Sequence, residues 1–258
     1  MSTPSHRLLT AEREQLILDL LRASDVLSVL SLSERLGVSE ATVRRDLQNL
    51  QERGLLARFH GGATLKTPGQ PELLFSDKES KLSEEKQRIA LAALSLIEAQ
   101  DIIYLDGGST VLHLARLLES RSGLTIVTNS LMAASLLMES GHRLILTGGE
   151  FRAISRTMVG PLSAAILQNI TVDKAFMGTM GLTLSDGLST SDANEAFTKK
   201  QAMSRARQVI LLADHSKFGV SSFVSSGRLE DLHTIISDEI PAEFQKHFTK
   251  LGINHISG

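Results

Sequence analysis

Five short polar runs carry residue types from which an anion site can be built. They are DGGST at 106–110, TN at 128–129, TGG at 147–149, GTMG at 178–181 and DHSK at 214–217. Gly107 and Gly108 allow close approach of backbone to a ligand. Ser109 and Thr110 open an expected helix, where hydroxyls and free N–H groups face an anion. Lys217 offers positive charge, and Asp106, Thr128, Asn129, Gly149 and Asp214 offer acceptors, donors or close approach. Glu195 and Lys199 stand four apart on one helix face, so they reach the same place or each other. The set suits a phosphate plus several hydroxyls, as in a phosphorylated sugar. It also admits an enzyme, with Asp106, Glu195 or Lys199 as general base of a sugar-phosphate isomerisation. Taken singly, each run has an ordinary structural reading: Asp106 caps a turn, Thr128-Asn129 caps a helix, Glu195 and Lys199 pair on a surface. His113 and His215 belong to no cluster with metal-ligand spacing, so no metal, cofactor or catalytic residue is assigned.

A second chemistry stands near the N-terminus. In SEATVRRDLQNLQER, residues 39–53, helical spacing puts Val43, Leu47 and Leu50 on one face and leaves Thr42, Arg44, Arg45, Gln48 and Asn49 outward. Arg pairs bidentately with guanine, and Gln or Asn with adenine. Ser39 and Thr42 at the helix start suit a phosphate contact. Arg58 and His60, in the following ARFHGGA hairpin, would reach backbone or minor groove. The residues alone leave two readings open, a DNA-reading helix or a solvated helix that carries charge.

The elements that must hold these residues fall into two groups. Before residue 65 the periodicity predicts helices at 11–23, 31–37 and 39–53, then two short strands around a His-Gly-Gly turn. Gly37 marks the turn of a helix-turn-helix, and Gly54 a helix stop. Residues 66–80, with Pro68, Gly69, Pro71 and many charges, read as a linker. Beyond it, apolar strands at 102–106, 124–128, 143–147, 174–178, 208–214 and 234–238 alternate with amphipathic segments, the pattern of a mostly parallel α/β sheet. Each polar run ends a strand, so all five are expected on one edge, where small ligands bind in such folds. With no cysteine among 258 residues, disulfides, thiolate metal sites and Cys nucleophiles are excluded. The net charge of −2 means that DNA binding must come from local charge. No signal peptide and no apolar run near the ~18 residues of a membrane span is read, so a cytoplasmic protein is expected.

The N-terminal run LSERLGVSEATVRRDLQNLQERGLLARFHGGA resembles the winged helix of the DeoR family of bacterial transcription regulators. It matches the family pattern at Val38, Ser39, Thr42, Val43, Arg44, Arg45, Asp46, Leu47, Leu50, Gly54, Leu56, Arg58, His60, Gly61, Gly62 and Ala63. The resemblance puts Arg44 and Arg45 in the DNA-facing set, whereas a carboxylate at Asp46 would brace an Arg. Residues 80–240 resemble the family's effector domain, similar in fold to ribose-5-phosphate isomerase. The matches are Asp106, Gly108, Ser109 and Thr110; Thr128 and Asn129; Gly148 and Gly149; Glu195 and Lys199; and Asp214, Ser216 and Lys217. Thr190-Ser191-Asp192 departs from the family's Thr-x-Pro-[Asp/Asn] run, at a segment expected to face the variable part of the sugar.

The expectation is therefore an N-terminal winged helix-turn-helix domain (1–65), a linker (66–80) and a larger, mostly parallel α/β domain (81–258) for effector binding and oligomerisation. DNA would be read by Ser39, Thr42, Arg44, Arg45, Gln48, Arg58 and His60. The effector would be held by Asp106, Gly108, Ser109, Thr110, Thr128, Asn129, Gly149, Glu195, Lys199, Asp214 and Lys217. The partners implied are double-stranded operator DNA, a phosphorylated sugar, and copies of the same chain as a dimer or tetramer.

Overall fold

The computed structural model describes residues 10–23, 27–52, 55–59, 62–64 and 72–258, and the chain divides into two compact units, at 1–71 and 72–258. In the first unit three helices, α1 (Thr10–Ala23), α2 (Val29–Leu36) and α3 (Glu40–Glu52), enclose a core of Ile17, Leu21, Leu32, Val43, Leu47 and Leu50. Between α1 and α2 runs the short strand β1 (Leu27–Ser28). Ser28 caps α2 by accepting from Ser31 N–H at 3.0 Å, and Gly37 ends it at φ +65°, a conformation that costs glycine little. Strands β2 (Ala57–Phe59) and β3 (Gly62–Thr64) pair antiparallel, and β1 joins β3. The three expected helices and the hairpin are all present; β1 is additional, because two residues carry no periodicity to detect.

The second unit starts earlier than composition suggested. Helix α4 (Phe75–Ser80) lies within the expected linker, yet Phe75 is buried in the core beside Val111 and Leu112. The charges that read as solvated linker are paired: Glu72 with Lys78 and Arg152, and Glu79 with Arg116. Residues 72–80 therefore belong to the α/β unit.

After α5 (Ser83–Leu94) come β4 (Ile102–Leu105), α6 (Ser109–Leu117), β5 (Thr125–Thr128), α7 (Leu131–Leu137) and β6 (Arg143–Leu146). A hairpin of β7 (Glu150–Arg152) and β8 (Thr157–Val159) leads to α8 (Pro161–Leu167) and β9 (Val172–Met177). Then follow β10 (Gly181–Thr183), β11 (Gly187–Thr190), α9 (Ala193–Ser204), β12 (Ala206–Leu212), β13 (Val224–Gly227), β14 (Thr234–Ser237), α10 (Ala242–Leu251) and β15 (Asn254–Ser257). Seven strands form one sheet in the order β15-β14-β12-β9-β4-β5-β6, every neighbouring pair parallel.

Alternation along each strand sends residues to opposite faces. Ile103, Leu105 and Ile126 pack under α5, α6 and α7, while Tyr104, Val127, Ala175 and Met177 pack toward α10 and the small sheet of β10, β11 and β13. Both faces are covered, which is why the strands are continuously apolar. From β4 the chain steps outward to β5 and β6, then returns to lay β9 on the other side of β4. This reversal makes the C-terminal ends of β4 and β9 a topological switch point, and open α/β sheets bind ligands in the crevice at such a point.

Candidate functional site

Helix α3 presents one dry and one wet face. Val43, Leu47 and Leu50 are fully buried, while Arg44, Arg45 and Gln48 are exposed. Ser39 Oγ accepts from Thr42 N–H at 3.3 Å and lies 2.9 Å from Thr42 Oγ1, so the two hydroxyls meet at the start of the helix. Arg44 reaches back to Glu40 at 2.9 Å, an exposed pair that is cheap to break. Asp46 does not face solvent: it takes a two-pronged hydrogen bond from Arg13 at 2.5 and 2.8 Å and ties α3 to α1. Arg58 lies on β2, and His60 lies outside the described residues.

In the second unit the five polar runs end five adjacent strands, β12, β9, β4, β5 and β6, on one edge. At the crevice, Asp106 Oδ2 accepts from Gly178 N–H at 3.0 Å and from Lys199 Nζ, which also donates to Gly178 O at 3.0 Å. Glu195 Oε1 stands 3.6 Å from the same ammonium. All three side chains are buried. Burial disfavours charge on Lys199, but Asp106 and Glu195 outweigh it and hold the ammonium protonated, its pKa raised. Burial pushes the Glu195 carboxyl up; Lys199 opposes that shift and Asp106 adds to it.

Gly108, at φ +147°, carries the chain into α6, whose first residues Ser109 and Thr110 are buried at this edge. Gly107 is needed for packing: a Cβ there would lie 2.0 Å from Thr157 Cγ2. Gly149, at φ +117°, is pressed against Val159 O and Ser163. Thr128 is engaged internally, donating to Leu105 O at 2.7 Å and accepting from Ser130 N–H at 3.0 Å. The Thr128 hydroxyl is thus engaged within the edge, and Gly149 is held there by close packing. Asn129 donates to Met158 O at 3.2 Å and keeps its buried Oδ1 without a hydrogen bond. Asp214 Oδ1 caps the turn through Ser216, and its Oδ2 is buried and unbonded. Glu195 Oε2 and Thr190 Oγ1 are likewise buried without a hydrogen bond. Of these, Asn129 Oδ1 and Asp214 Oδ2 lie in the loops that end β5 and β12, whereas Glu195 Oε2 has the Arg152 guanidinium at 3.4 Å; a buried polar atom left unbonded costs about 1–3 kcal/mol.

Lys217 is half-buried; burial lowers its pKa, Asp214 opposes the shift, and Lys78 and Lys81 reinforce it. Lys86, which carried no signal in the sequence, is fully buried near Asp214 and Lys217 and donates to Lys78 O and Lys81 O. Arg152 was also missed. Its guanidinium lies 3.4 Å from Glu195, 3.7 Å from Asp192, 3.2 Å from Ser191 Oγ and 2.5 Å from Glu72. A single Arg at the end of a three-residue strand has no periodicity to mark it; only the fold brings it in. His113 is half-buried within α6, and burial lowers its pKa. His215 pairs with Asp238 at 2.6 Å. Among the described residues no three His, Asp or Glu side chains converge as metal ligands do, and no helix is long and apolar enough to cross a membrane.

The DeoR C terminal sensor domain matches residues 81–239, and the DeoR-like helix-turn-helix domain matches residues 13–68. The chain belongs to the DeoR family. It is a transcriptional regulator with an N-terminal helix-turn-helix and a C-terminal sensor. DeoR-family relatives align over most of its length. The HTH-type transcriptional regulator GlpR of Haloferax volcanii is 35% identical over 97% of this chain and 99% of its own. The putative aga operon transcriptional repressor of Escherichia coli O157:H7 is 33% identical over 96% and 93%. The lactose phosphotransferase system repressor of Staphylococcus epidermidis is 38% identical over 80% and 82%. Among solved structures, ribose 5-phosphate isomerase A of Methanocaldococcus jannaschii aligns with 53% of this chain and 54% of its own, at 20% identity and a TM-score of 0.40, a likeness too slight to bear on function. The sensor match begins at residue 81, whereas the packed unit of this DeoR-family chain begins at Glu72.

Proposed function

We propose that this DeoR-family regulator represses a carbohydrate-catabolic operon in the cytoplasm and is released from its operator by a phosphorylated sugar bound at the sheet edge. The observation that supports this best is the buried Asp106–Lys199–Glu195 cluster at the ends of β4 and β9, beside the glycine-rich entry to α6 and the unbonded Oδ1 of Asn129. Ser109, Thr110 and the N–H groups behind Gly108 take the phosphate, with Lys217 supplying charge. Asp106, Asn129, Glu195 and Asp214 accept from sugar hydroxyls. The names of the aga operon and lactose phosphotransferase repressors support both the sugar and the repression. On the DNA side Ser39 and Thr42 contact phosphate, Arg44, Arg45 and Gln48 face the major groove, and Arg58 and His60 reach backbone or minor groove. Two half-sites call for a homodimer or tetramer.

Binding without turnover fits the electrostatics. Lys199 is held as an ammonium between two carboxylates, so it serves neither as base nor as amine nucleophile. One observation favours an isomerase: the raised pKa of Glu195 suits a general base. The deciding experiment titrates ribose 5-phosphate, fructose 6-phosphate and related esters against the full chain bound to the DNA upstream of its own gene. Release without consumption of the ester is expected. Turnover would favour the enzyme, and no response to any ester would remove the sugar sensor.

A further inference from the structure

The first residue of the α/β unit is held by the same charges that line the crevice. The Glu72 carboxylate accepts from Arg152 at 3.2 and 2.5 Å, from Ser191 Oγ at 2.6 Å and from Lys78 Nζ at 2.6 Å. Burial alone would raise its pKa, but those three donors bring it to about 2, so it is ionised at any physiological pH. Arg152 extends the chain of contacts to Glu195 at 3.4 Å, and through Lys199 to Asp106. Just beyond, Phe75 N–H donates to Ile154 O at 3.2 Å, and Arg156 lies 5.5 Å over the Phe75 ring, so the whole start of the unit rests on the β7–β8 hairpin. A two-pronged guanidinium, an ammonium and a hydroxyl around one carboxylate are the features of an anion or polyol subsite.

We propose that Glu72 is an internal occupant of the far end of the effector site. The end of the sugar opposite its phosphate competes with Glu72 for Arg152 and Ser191. Winning that competition frees residue 72, which continues in sequence directly from the DNA-binding unit. Effector occupancy is then coupled to the linker by exchange of partners at one guanidinium, a two-state element that both ligands bias. The inference rests on the sugar-phosphate reading above and deepens it.

The test uses the full chain, Glu72→Gln, and two classes of probe measured by calorimetry. Inorganic phosphate takes only the phosphate end, whereas ribose 5-phosphate and fructose 6-phosphate span the site. With the competitor weakened, the variant is expected to bind a responsive sugar phosphate about tenfold more tightly, while its affinity for inorganic phosphate changes much less, through the released charge of Lys78 alone. Its operator affinity without effector is expected to move in the direction that the sugar phosphate moves wild type. Amide exchange over residues 72–80 should rise in wild type with sugar phosphate and not with inorganic phosphate. Glu72→Asp keeps the charge and loses reach, so it should shift in the same direction by less, and it replaces Glu72→Gln if that variant fails to fold. Equal changes for both probes, or none, overturn the competition. If wild type binds inorganic phosphate but no sugar phosphate, the sugar reading itself fails and takes this inference with it.

Discussion

Adjacent residues on α3 carry opposite burdens. Arg45 is exposed on the outer face, whereas Asp46 is buried and ties α3 to α1 through Arg13. Arg45→Ala should weaken operator binding by about 1–3 kcal/mol at fixed salt, with no change in melting temperature. Asp46→Ala removes the two-pronged tie between α3 and Arg13 and should destabilise the N-terminal unit by about 1–3 kcal/mol, read by denaturant titration. If the two variants exchange these phenotypes, the recognition face has been misassigned. A titratable pair on the sheet edge gives a prediction with a sign. His215 is raised chiefly by its hydrogen bond to Asp238, and burial only partly opposes this. Its stabilisation is therefore complete below the unfolded histidine value of about 6.5 and fades as pH rises through the raised folded value. Asp238, pushed up by burial but drawn lower by His215, loses its share only in acid. The melting-temperature gap between wild type and His215→Ala should thus be wider at pH 6 than at pH 9. Because the imidazole is largely solvent-exposed, screening keeps the gain below about 1 kcal/mol.

Elements, not single side chains, place the site on one edge, and their joints are where a small change should be costly. At the β6–β7 turn an alanine for Gly149 would put Cβ 2.9 Å from Val159 O and 3.0 Å from Ser163 Cβ, at a φ of +117° that side chains avoid. Gly149→Ala should cost about 1–3 kcal/mol in a denaturation experiment, from strain and from separating this turn from α8. A neutral result would mean that the turn relaxes without cost. Five of the six strands legible in the sequence are largely buried apolar runs, as Ile103, Tyr104 and Leu105 show, and the sixth, edge strand β6, is half-exposed but still reads as the apolar run Leu144-Ile145-Leu146. The missed strands lack such a run. In β15, Asn254 and His255 are exposed on a sheet edge, and the short strands of the β7–β8 hairpin are part polar. The same physics governed the site. Asp106, Ser109, Thr110 and Lys217 sit in glycine-rich or polar runs that punctuate apolar strands, so they stood out. Glu72, Lys86 and Arg152 sit among other charges, and only tertiary contacts reveal that Glu72 and Arg152 are paired and that Lys86 is buried against backbone carbonyls.

At the scale of the molecule, the helix-turn-helix and the sensor are separate units with separate cores, so regulation must be an energetic coupling between two binding events. Each unit braces its own chemistry from within: α3 through Arg13 and Asp46, and the crevice through Asp106, Lys199 and Gly178. Such a division predicts that a mutation which only silences ester binding leaves operator affinity without ester intact. It also predicts reciprocity. If a sugar phosphate lowers operator affinity by some factor, saturating operator must lower affinity for that sugar phosphate by the same factor, commonly about 5–150-fold. Calorimetric titration of the ester into the full chain, with and without operator DNA, measures one side of the cycle; anisotropy of labelled operator with and without ester measures the other. Agreement would tie the DNA response to occupancy of one effector-linked state. A large effect on operator binding, with ester affinity at the sensor unmoved by operator, would mean that the release comes from ester bound elsewhere, such as directly on the basic face of α3. Arg45→Ala separates that case, because it alters direct competition and leaves ester binding in the sensor untouched.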